Sequence, residues 1–229
     1  HGVFTGDEGR KKLALAVNKI KDAGKGRQYD CILGLSGGAD SSYLAYLAKR
    51  EGLRPLVVHF DYGWNLELAV NNIENIIKTL GFNLYTIVMD WEEMKSLQRS
   101  YYRSSVLDLD VPADHMIFGA LYQTANKFNI KYILSGKNIV TEAVLPRAWN
   151  YNKFDLTNLK NIHRRFENGS LKNLPALGVW QFGYYTAIKR KRITELLNYV
   201  DYDKREVKEF LIENLGWRDY EGKNFENIY

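Results

Sequence analysis

This sequence of 229 residues is nearly free of cysteine and has no long apolar run. The single cysteine, Cys31, excludes a framework of disulfides within the chain. No apolar stretch approaches the roughly 18 residues that a membrane-spanning helix needs, and no secretory signal pattern opens the sequence given. We therefore expect a cytoplasmic protein that has no membrane partner.

Charge of neither sign dominates. The sequence has 32 Lys and Arg against 27 Asp and Glu, a formal net charge of +5. Such a balance suits anionic small substrates such as nucleotides, and it permits nucleic acid without requiring it. With 45% apolar residues, the chain can form one large α/β domain, or one domain with an appendage. Because it begins at His1 and stops after a charged, aromatic-rich stretch, we expect a fragment of a longer protein.

The stretch from Cys31 to Ser42, CILGLSGGADSS, is the most informative one. Its apolar start predicts a strand, its two glycines a turn, and its end the first turn of a helix. Free N–H groups at a helix N-terminus bind anions, and adjacent glycines allow positive φ and a close approach of the backbone. Ser36 and Ser41 add hydroxyl donors, whereas Asp40 fits either an Mg²⁺ ligand or a helix cap. The Lys-Ser/Thr ending of the familiar P-loop is absent.

Apolar strands and amphipathic helices alternate regularly over the first half of the chain. Further strands are predicted at residues 55–60, 84–88 and 132–135, and helices at 9–26, 41–51, 65–80, 90–104 and 112–128. This alternation predicts a doubly wound parallel sheet. After Glu142 it stops, and helices are expected at 156–166, 175–188 and 203–215. We therefore divide the chain into an α/β nucleotide domain, 1–144, and a helical C-terminal appendage, 145–229, that covers the site and supplies substrate specificity.

Polar side chains follow two of the predicted strands. Ligands of open α/β sheets bind beyond the carboxyl ends of strands, so His59 and Asp61 are expected near the glycine loop. Asp61 is a candidate metal ligand, with turn capping as the alternative. After the fourth strand, Gly136 allows close approach, Lys137 can neutralise phosphate and Glu142 is a further candidate metal ligand.

The predicted helix before the fourth strand, 112–128, opens with Pro112, Ala113, Asp114 and His115. Asp114 fits a helix cap as well as a site role. His115, beside it, is a candidate contact to a phosphate or to a substrate carbonyl. The basic run Lys189–Arg192 is interpreted as a solvated face.

The loop Ser36-Gly37-Gly38-Ala39-Asp40-Ser41 resembles the SGGxDS signature of the N-type ATP pyrophosphatases, the PP-loop family. That resemblance implies a fold like that of the adenine nucleotide α-hydrolases and the use of ATP with Mg²⁺. It implies an ATP site formed by Gly34, Leu35, Ser36, Gly37, Gly38, Asp40, Ser41, His59, Phe60, Asp61 and Gly136. Ser36, Asp40 and Lys137 are the expected catalytic residues, and Asp40, Asp61 and Glu142 are the candidate metal ligands.

Several short segments resemble one subgroup, the N-acetyl sugar amidotransferases of bacterial lipopolysaccharide and O-antigen synthesis. They are residues 60–65, 133–142, 145–151, 197–202 and 216–220. The resemblance implies conversion of the N-acetyl group of a nucleotide-linked sugar, such as a UDP-sugar, into an acetamidino group. The ammonia would come from a separate glutamine amidotransferase, because the chain has no glutaminase cysteine. The cysteine pairs near the N-terminus of that family, suggestive of a zinc site, are absent here.

The sugar nucleotide is assigned to His115, Arg147, Trp149 and Arg218. Two rival functions remain. A tRNA-modifying pyrophosphatase is supported by the basic run and the aromatic residues, although the lone Cys31 disfavours thiolation. A non-catalytic adenine-nucleotide sensor is the other, and the intact Ser36, Asp40 and Ser41 argue against it. In the favoured interpretation we expect no nucleic-acid partner.

Overall fold

The structure is a computed structural model that describes residues 4–138 and 153–220. Within them, five strands form one sheet in the order β3-β2-β1-β4-β5, and all the neighbouring pairs are parallel. The strands are β1 (Cys31–Gly34), β2 (Pro55–Asp61), β3 (Asn83–Val88), β4 (Tyr132–Leu134) and β5 (Arg192–Thr194). The predicted α/β class and parallel sheet are therefore confirmed.

Helices cover both faces of the sheet. They are α1 (Gly6–Gly24), α2 (Ala39–Arg50), α3 (Glu67–Leu80), α4 (Trp91–Ser104), α5 (Val111–Lys127), α6 (Leu156–Phe166), α7 (Val179–Gly183) and α8 (Lys204–Leu215). A π-helix, Tyr184–Ile188, continues α7, and a 3₁₀ turn, Leu196–Tyr199, follows β5. None of the helices in the described parts is long and apolar enough to cross a membrane.

Helix ends follow local capping chemistry. Gly81 and Gly216 end α3 and α8 in the left-handed conformation that glycine adopts without a steric penalty. Asp203 caps α8 by accepting from the N–H groups of Arg205 and Glu206. Asp114 is not the cap of α5, because the helix starts earlier and Asp110 takes that position.

The order of the strands places a switch point between β1 and β4. The chain leaves β1 toward β2 on one side and reaches β4 and β5 on the other, so the loops after β1 and β4 diverge at this point. In open α/β sheets the crevice between such diverging loops is the usual ligand site. The glycine loop and the Gly136 segment are therefore the two walls of a preformed crevice.

The C-terminal half is more than a helical appendage. Its strand β5 pairs with β4, Tyr132 facing Arg192, and α8 packs on α2. Leu196, Leu211 and Trp217 belong to the same buried cluster as the helices of the first half. The predicted division at residues 144 and 145 lies outside the described residues, so it stays a prediction.

The basic run is not wholly a solvated face, which corrects the interpretation of Lys189–Arg192. Lys191 is buried, and its Nζ donates to the carbonyl oxygens of Ala125 and Ile130, 2.9 and 2.8 Å away, at the end of α5. Burial lowers the pKa of Lys191 to about 8, and nearby positive charge acts in the same direction. This lysine therefore donates hydrogen bonds to carbonyl oxygens at the C-terminal end of a helix and does not face solvent.

Acid is expected to destabilise the fold through His115. Its buried ring accepts from the N–H of Leu177 at Nε2, 3.1 Å away, and has Nδ1 2.7 Å from the carbonyl oxygen of Lys153. The first contact requires a neutral ring, and burial lowers the pKa of His115 below its usual 6.5. Because the unfolded chain binds the proton more readily, the free energy of unfolding should fall as the pH drops below 6.5.

We expect a lower melting temperature at pH 5.5 than at pH 7.5. The variant His115→Asn keeps a donor for the Lys153 carbonyl and cannot be protonated. It should melt at a lower temperature than the parent at pH 7.5, and its melting temperature should fall less between pH 7.5 and pH 5.5. Part of the pH dependence should remain, because burial also lowers the pKa values of His59 and His163. An equal fall in melting temperature between pH 7.5 and pH 5.5 in variant and parent would refute the role of His115.

Candidate functional site

The glycine loop after β1 is held in shape by its own two serines. The hydroxyls of Ser36 and Ser41 lie 3.1 Å apart, and the Ser36 N–H donates to Ser41 Oγ at 3.3 Å. Ser36 Oγ also accepts from the Gly38 N–H, and Ser41 Oγ donates to the Gly38 carbonyl. Helix α2 starts at Ala39, so its first N–H groups lack acceptors within the helix and point into the crevice. This is the geometry of an anion site.

Gly37 is the loop position that only glycine fits. Its φ of +87° lies in the left-handed region, and a Cβ there would come within 2.6 Å of the Ala69 carbonyl oxygen. Both the conformation and the contact exclude a side chain. The sequence predicts that Gly37 contacts ATP. In the structure Gly37 turns the chain beneath the binding surface.

Gly136, after β4, closes the crevice from the other side. A Cβ on Gly136 would lie 3.2 Å from the backbone nitrogen of Ser41 and 3.3 Å from its Cα. The backbone of Gly136 therefore runs directly over the first turn of α2. A larger residue would fill the space above the N–H groups where an anion binds.

A cavity of about 350 Å³ lies between these two loops. Most of the residues predicted for ATP and catalysis line it: Gly34, Leu35, Ser36, Gly38, Asp40, Ser41, His59, Phe60, Gly136 and Lys137. Gly37, Asp61, His115 and Arg218 do not. Glu142, Arg147 and Trp149 lie outside the described residues.

His59 is a neutral wall of the cavity. Its Nδ1 is 3.3 Å from the carbonyl oxygen of Leu35, and its Nε2 is 3.4 Å from the side-chain amide nitrogen of Asn65. Burial lowers the pKa of His59, and this outweighs the raising effects of the Leu35 carbonyl and Asp61. A neutral ring that donates through Nδ1 and accepts at Nε2 satisfies both contacts. His59 thus fixes the end of β2 to the loop.

Asp40 is connected to the C-terminal part of the chain, which sequence reasoning missed. The Tyr202 hydroxyl donates to one carboxylate oxygen, and Lys204 Nζ lies 3.8 Å from the other. Burial, with the bond to Asp40 next, raises the pKa of Tyr202, so the phenol keeps its proton. The segment 197–202 had been noticed as a motif, but nothing in its spacing pointed to Asp40.

The predicted metal ligands differ in their surroundings, and their role in holding a metal stays a prediction. Mg²⁺ is commonly held by one or two carboxylates together with phosphate oxygens, and Asp40 lines the cavity where those phosphates would lie. Asp61 instead accepts from the N–H of Gly63, 3.0 Å away, in a turn. Over residues 4–138 and 153–220, no group of three or more His, Cys, Asp or Glu side chains is close enough to hold a metal.

The predicted sugar contacts are not gathered at the cavity. His115 is buried, and both its ring nitrogens are occupied by backbone groups. Arg218 is exposed, and its backbone bonds to the side chain of Asn72, away from the cavity lining. Beside His115, Asp114 lines the cavity and is paired with Lys153. The structure thus gives His115 a packing role, because its ring faces the interior.

The loop is braced by residues 180 positions away in the chain. The indole N–H of Trp217 donates to the Gly37 carbonyl oxygen at 2.7 Å, and the Tyr220 hydroxyl donates to the same oxygen at 2.9 Å. Asn72 of α3 holds this segment by donating to the Arg218 carbonyl at 2.9 Å. Trp217 is almost fully buried. These bonds satisfy the buried carbonyl of the left-handed turn at Gly37.

Adding a methyl group at Gly136 should block anion binding. Gly136→Ala places Cβ against the first turn of α2, so we expect ATP to bind at least about tenfold more weakly, the cost of one lost charge-assisted hydrogen bond. Calorimetric titration with ATP measures this. Gly183→Ala is the matched control, because nothing lies within 4 Å of its Cβ position and its φ is ordinary. Equal affinities in the two variants would refute the assignment.

Removing the brace should loosen the loop. In Trp217→Phe/Tyr220→Phe the Gly37 carbonyl loses both donors, and an unsatisfied buried carbonyl costs about 1–3 kcal/mol. We expect weaker ATP binding in addition to reduced thermal stability. Trp180→Phe is the control, because Trp180 is 91% exposed. A double variant that melts earlier and binds ATP as the parent does would show that the brace serves stability alone.

Comparison with known proteins gives one family match and several relatives. Residues 30–119 match the family described as Queuosine biosynthesis protein QueC. The tRNA(Ile)-lysidine synthase of Chlamydia pneumoniae is 27% identical over 184 residues, which are 77% of this chain and 53% of that protein. The chain therefore spans about half the length of this curated relative.

Two solved structures are similar to this chain. They are a predicted subunit of tRNA methyltransferase from Methanocaldococcus jannaschii (14% identity, 80% of this chain and 76% of that one, TM-score 0.46) and the NH₃-dependent NAD synthetase of Campylobacter jejuni (17%, 96% and 99%, TM-score 0.43). The family match and the lysidine synthase relative support the PP-loop, or N-type ATP pyrophosphatase, family for this chain, and they do not support the sugar amidotransferase subgroup.

Proposed function

We propose that this protein is an ATP pyrophosphatase that activates a carbonyl oxygen by transferring AMP to it. The observation that carries the proposal is the crevice at the switch point, where the serine–glycine loop, the first turn of α2 and the bare backbone of Gly136 converge. A pyrophosphate group fits this arrangement because its charge meets backbone N–H groups and the positive end of the helix dipole.

The reaction takes place in two displacements. The carbonyl oxygen of the acceptor attacks the α-phosphorus of ATP, the bond between that phosphorus and its β-bridging oxygen breaks, and pyrophosphate leaves. A nitrogen nucleophile then attacks the activated carbon, AMP leaves with the former carbonyl oxygen, and the nitrogen gives up its proton to solvent. Donors preorganised around the leaving pyrophosphate stabilise the charge that develops on it. Mg²⁺, held by Asp40 and phosphate oxygens, would supply further neutralisation.

Two classes of acceptor are consistent with this chemistry. An RNA acceptor has the better support, because the matched family is named for queuosine biosynthesis and the curated relative for a lysidine made in tRNA. The sugar-nucleotide acceptor, with ammonia from a partner glutaminase, is supported by the short segments described above and by none of the comparisons. A non-catalytic sensor would bind ATP without cleaving it.

The products of ATP distinguish these functions. We expect AMP and pyrophosphate, with no ADP, when ATP is supplied with the right acceptor and a nitrogen donor. One series offers bulk tRNA with lysine or ammonium, and the other offers UDP-N-acetyl sugars with ammonium. Mass spectrometry of the acceptor then identifies the product. ATP binding without pyrophosphate release in either series would contradict the enzymatic proposal.

Asp40→Asn tests the site within the active series. It removes the charge that faces the phosphates and keeps the shape, so we expect pyrophosphate release to fall by about a hundredfold or more, as for the loss of other transition-state contacts. Asp22→Asn, an exposed position on α1, is the matched control. Release at the parental rate in Asp40→Asn would refute the role of this carboxylate.

A further inference from the structure

A second cavity, of about 710 Å³, opens beside the first. The two share Phe118, Ser135, Lys137 and Ile193 in their linings, so they meet at the loop that follows β4. The first cavity contains the anion loop, and the second does not. A molecule in the second cavity would therefore have one end at the wall of the candidate ATP site, and the acceptor of the proposed reaction must lie beside that site.

One face of α1 forms a wall of this second cavity. Lys12, Leu15, Ala16 and Lys19 line it, and the spacing of three and four residues places them on a single helix face. The core contacts of α1 come from a different set, Leu13, Val17 and Ile20. Leu15 is 59% exposed. The lining face of α1 therefore borders the face that packs the fold, since Ala16 also packs against the core, while the exposed Leu15 and Lys19 are open to a ligand.

Positive charge dominates the wall. Lys12, Lys19, Lys137 and Arg192 line the cavity, against a single carboxylate, Glu195. Lys12 is partly neutralised, since its Nζ is 3.2 Å from Glu8. Within the part of the chain that the structure describes, the other three cations form no ion pair. A concave wall with several unpaired cations concentrates positive potential and selects an anion.

Aromatic rings form another part of the lining. Phe118 and Phe154 pack with centroids 4.8 Å apart, next to the junction with the first cavity. Phe4 and Tyr199, 6.3 Å apart, lie near the lysines of α1. Flat rings beside cations are the combination that binds nucleotides, because bases stack on the rings while phosphates meet the charges.

We propose that the second cavity binds a phosphorylated nucleoside that belongs to the acceptor. Its phosphates face Lys19 and Arg192, its base stacks on the aromatic wall, and its reactive oxygen reaches the junction at Ser135 and Lys137. This inference rests on the proposed function, because it takes the neighbouring loop as the ATP site. The same chemistry is found in a free sugar nucleotide and in a nucleotide of RNA, and the test separates these two sources.

Charge reversal at the cavity tests the proposal by binding alone. The variants are Lys19→Glu and Arg192→Glu, and the control is Lys11→Glu, an exposed lysine of α1 that is outside the lining. Three probes are titrated: UDP, bulk tRNA and α,β-methylene-ATP, whose αβ bond resists cleavage. UDP is used because a pyrimidine does not mimic the adenine of ATP. Melting temperatures confirm that all the variants fold.

We expect each cavity variant to bind UDP or tRNA at least about tenfold more weakly than the control does, the loss of one charge contact. Binding of α,β-methylene-ATP should be unchanged. Weaker binding of UDP supports the proposal and identifies the phosphorylated nucleoside as part of a free nucleotide. Weaker binding of tRNA supports it and identifies the nucleoside as part of an RNA. Unchanged binding of both probes, or an equal loss in Lys11→Glu, overturns it.

The failure of this inference is separable from failure of the proposed function. Titration requires no turnover, so a protein that binds UDP through Lys19 and Arg192 and never releases pyrophosphate would contradict only the enzymatic proposal. A protein that releases pyrophosphate while both charge reversals leave probe binding intact would contradict only the assignment of this cavity.

Discussion

The approach of Gly136 to the first turn of α2 is the contact on which the site depends. Parallel strands β1 and β4 end side by side, and their loops diverge, so a crevice opens between them. Its width is fixed by a backbone-to-backbone contact, with the Cβ position of Gly136 3.2 Å from the Ser41 nitrogen. Because no side chain separates the two loops, the first N–H groups of α2 are accessible to a small, highly charged anion. The crevice is thus a consequence of topology, and the glycine keeps it open.

A second constraint comes from the far end of the described chain. Gly37 turns the chain in the left-handed conformation, and Trp217 and Tyr220 donate hydrogen bonds to its carbonyl oxygen. Trp217 is packed in the core cluster that joins α1, α2 and α8. A shift in the packing of that cluster would therefore move the indole of Trp217 and, through its hydrogen bond, the glycine loop. Tyr202, just before α8, and Lys204, its first residue, contact Asp40, so the same region supports both ends of the loop.

The sequence was informative where chemistry is local and less so where it is distant. Strand-turn-helix patterning, glycine spacing and caps predicted the sheet and most of the cavity lining. Strand β5 was missed because it is three residues long and begins on Arg192, the last residue of the basic run, so that only Ile193 and Thr194 carry a strand signal. Lys191 was taken as solvated, since nothing in the sequence shows that the end of α5 needs a donor there. Trp217 and Tyr202 meet residues more than 160 positions away, a relation that spacing along one chain does not contain.

The described lining of the first cavity also limits the kind of catalysis. Cys31 is fully buried in β1, and burial raises the pKa of its thiol, so it is not a thiolate nucleophile. The hydroxyls of Ser36 and Ser41 are engaged with each other and with the loop backbone. Both nitrogens of His59 have partners, and its lowered pKa makes it neutral. None of Cys31, Ser36, Ser41 and His59 therefore offers a nucleophile. This agrees with the proposed reaction, in which the nucleophile belongs to the substrate and these residues contribute positioning and charge stabilisation.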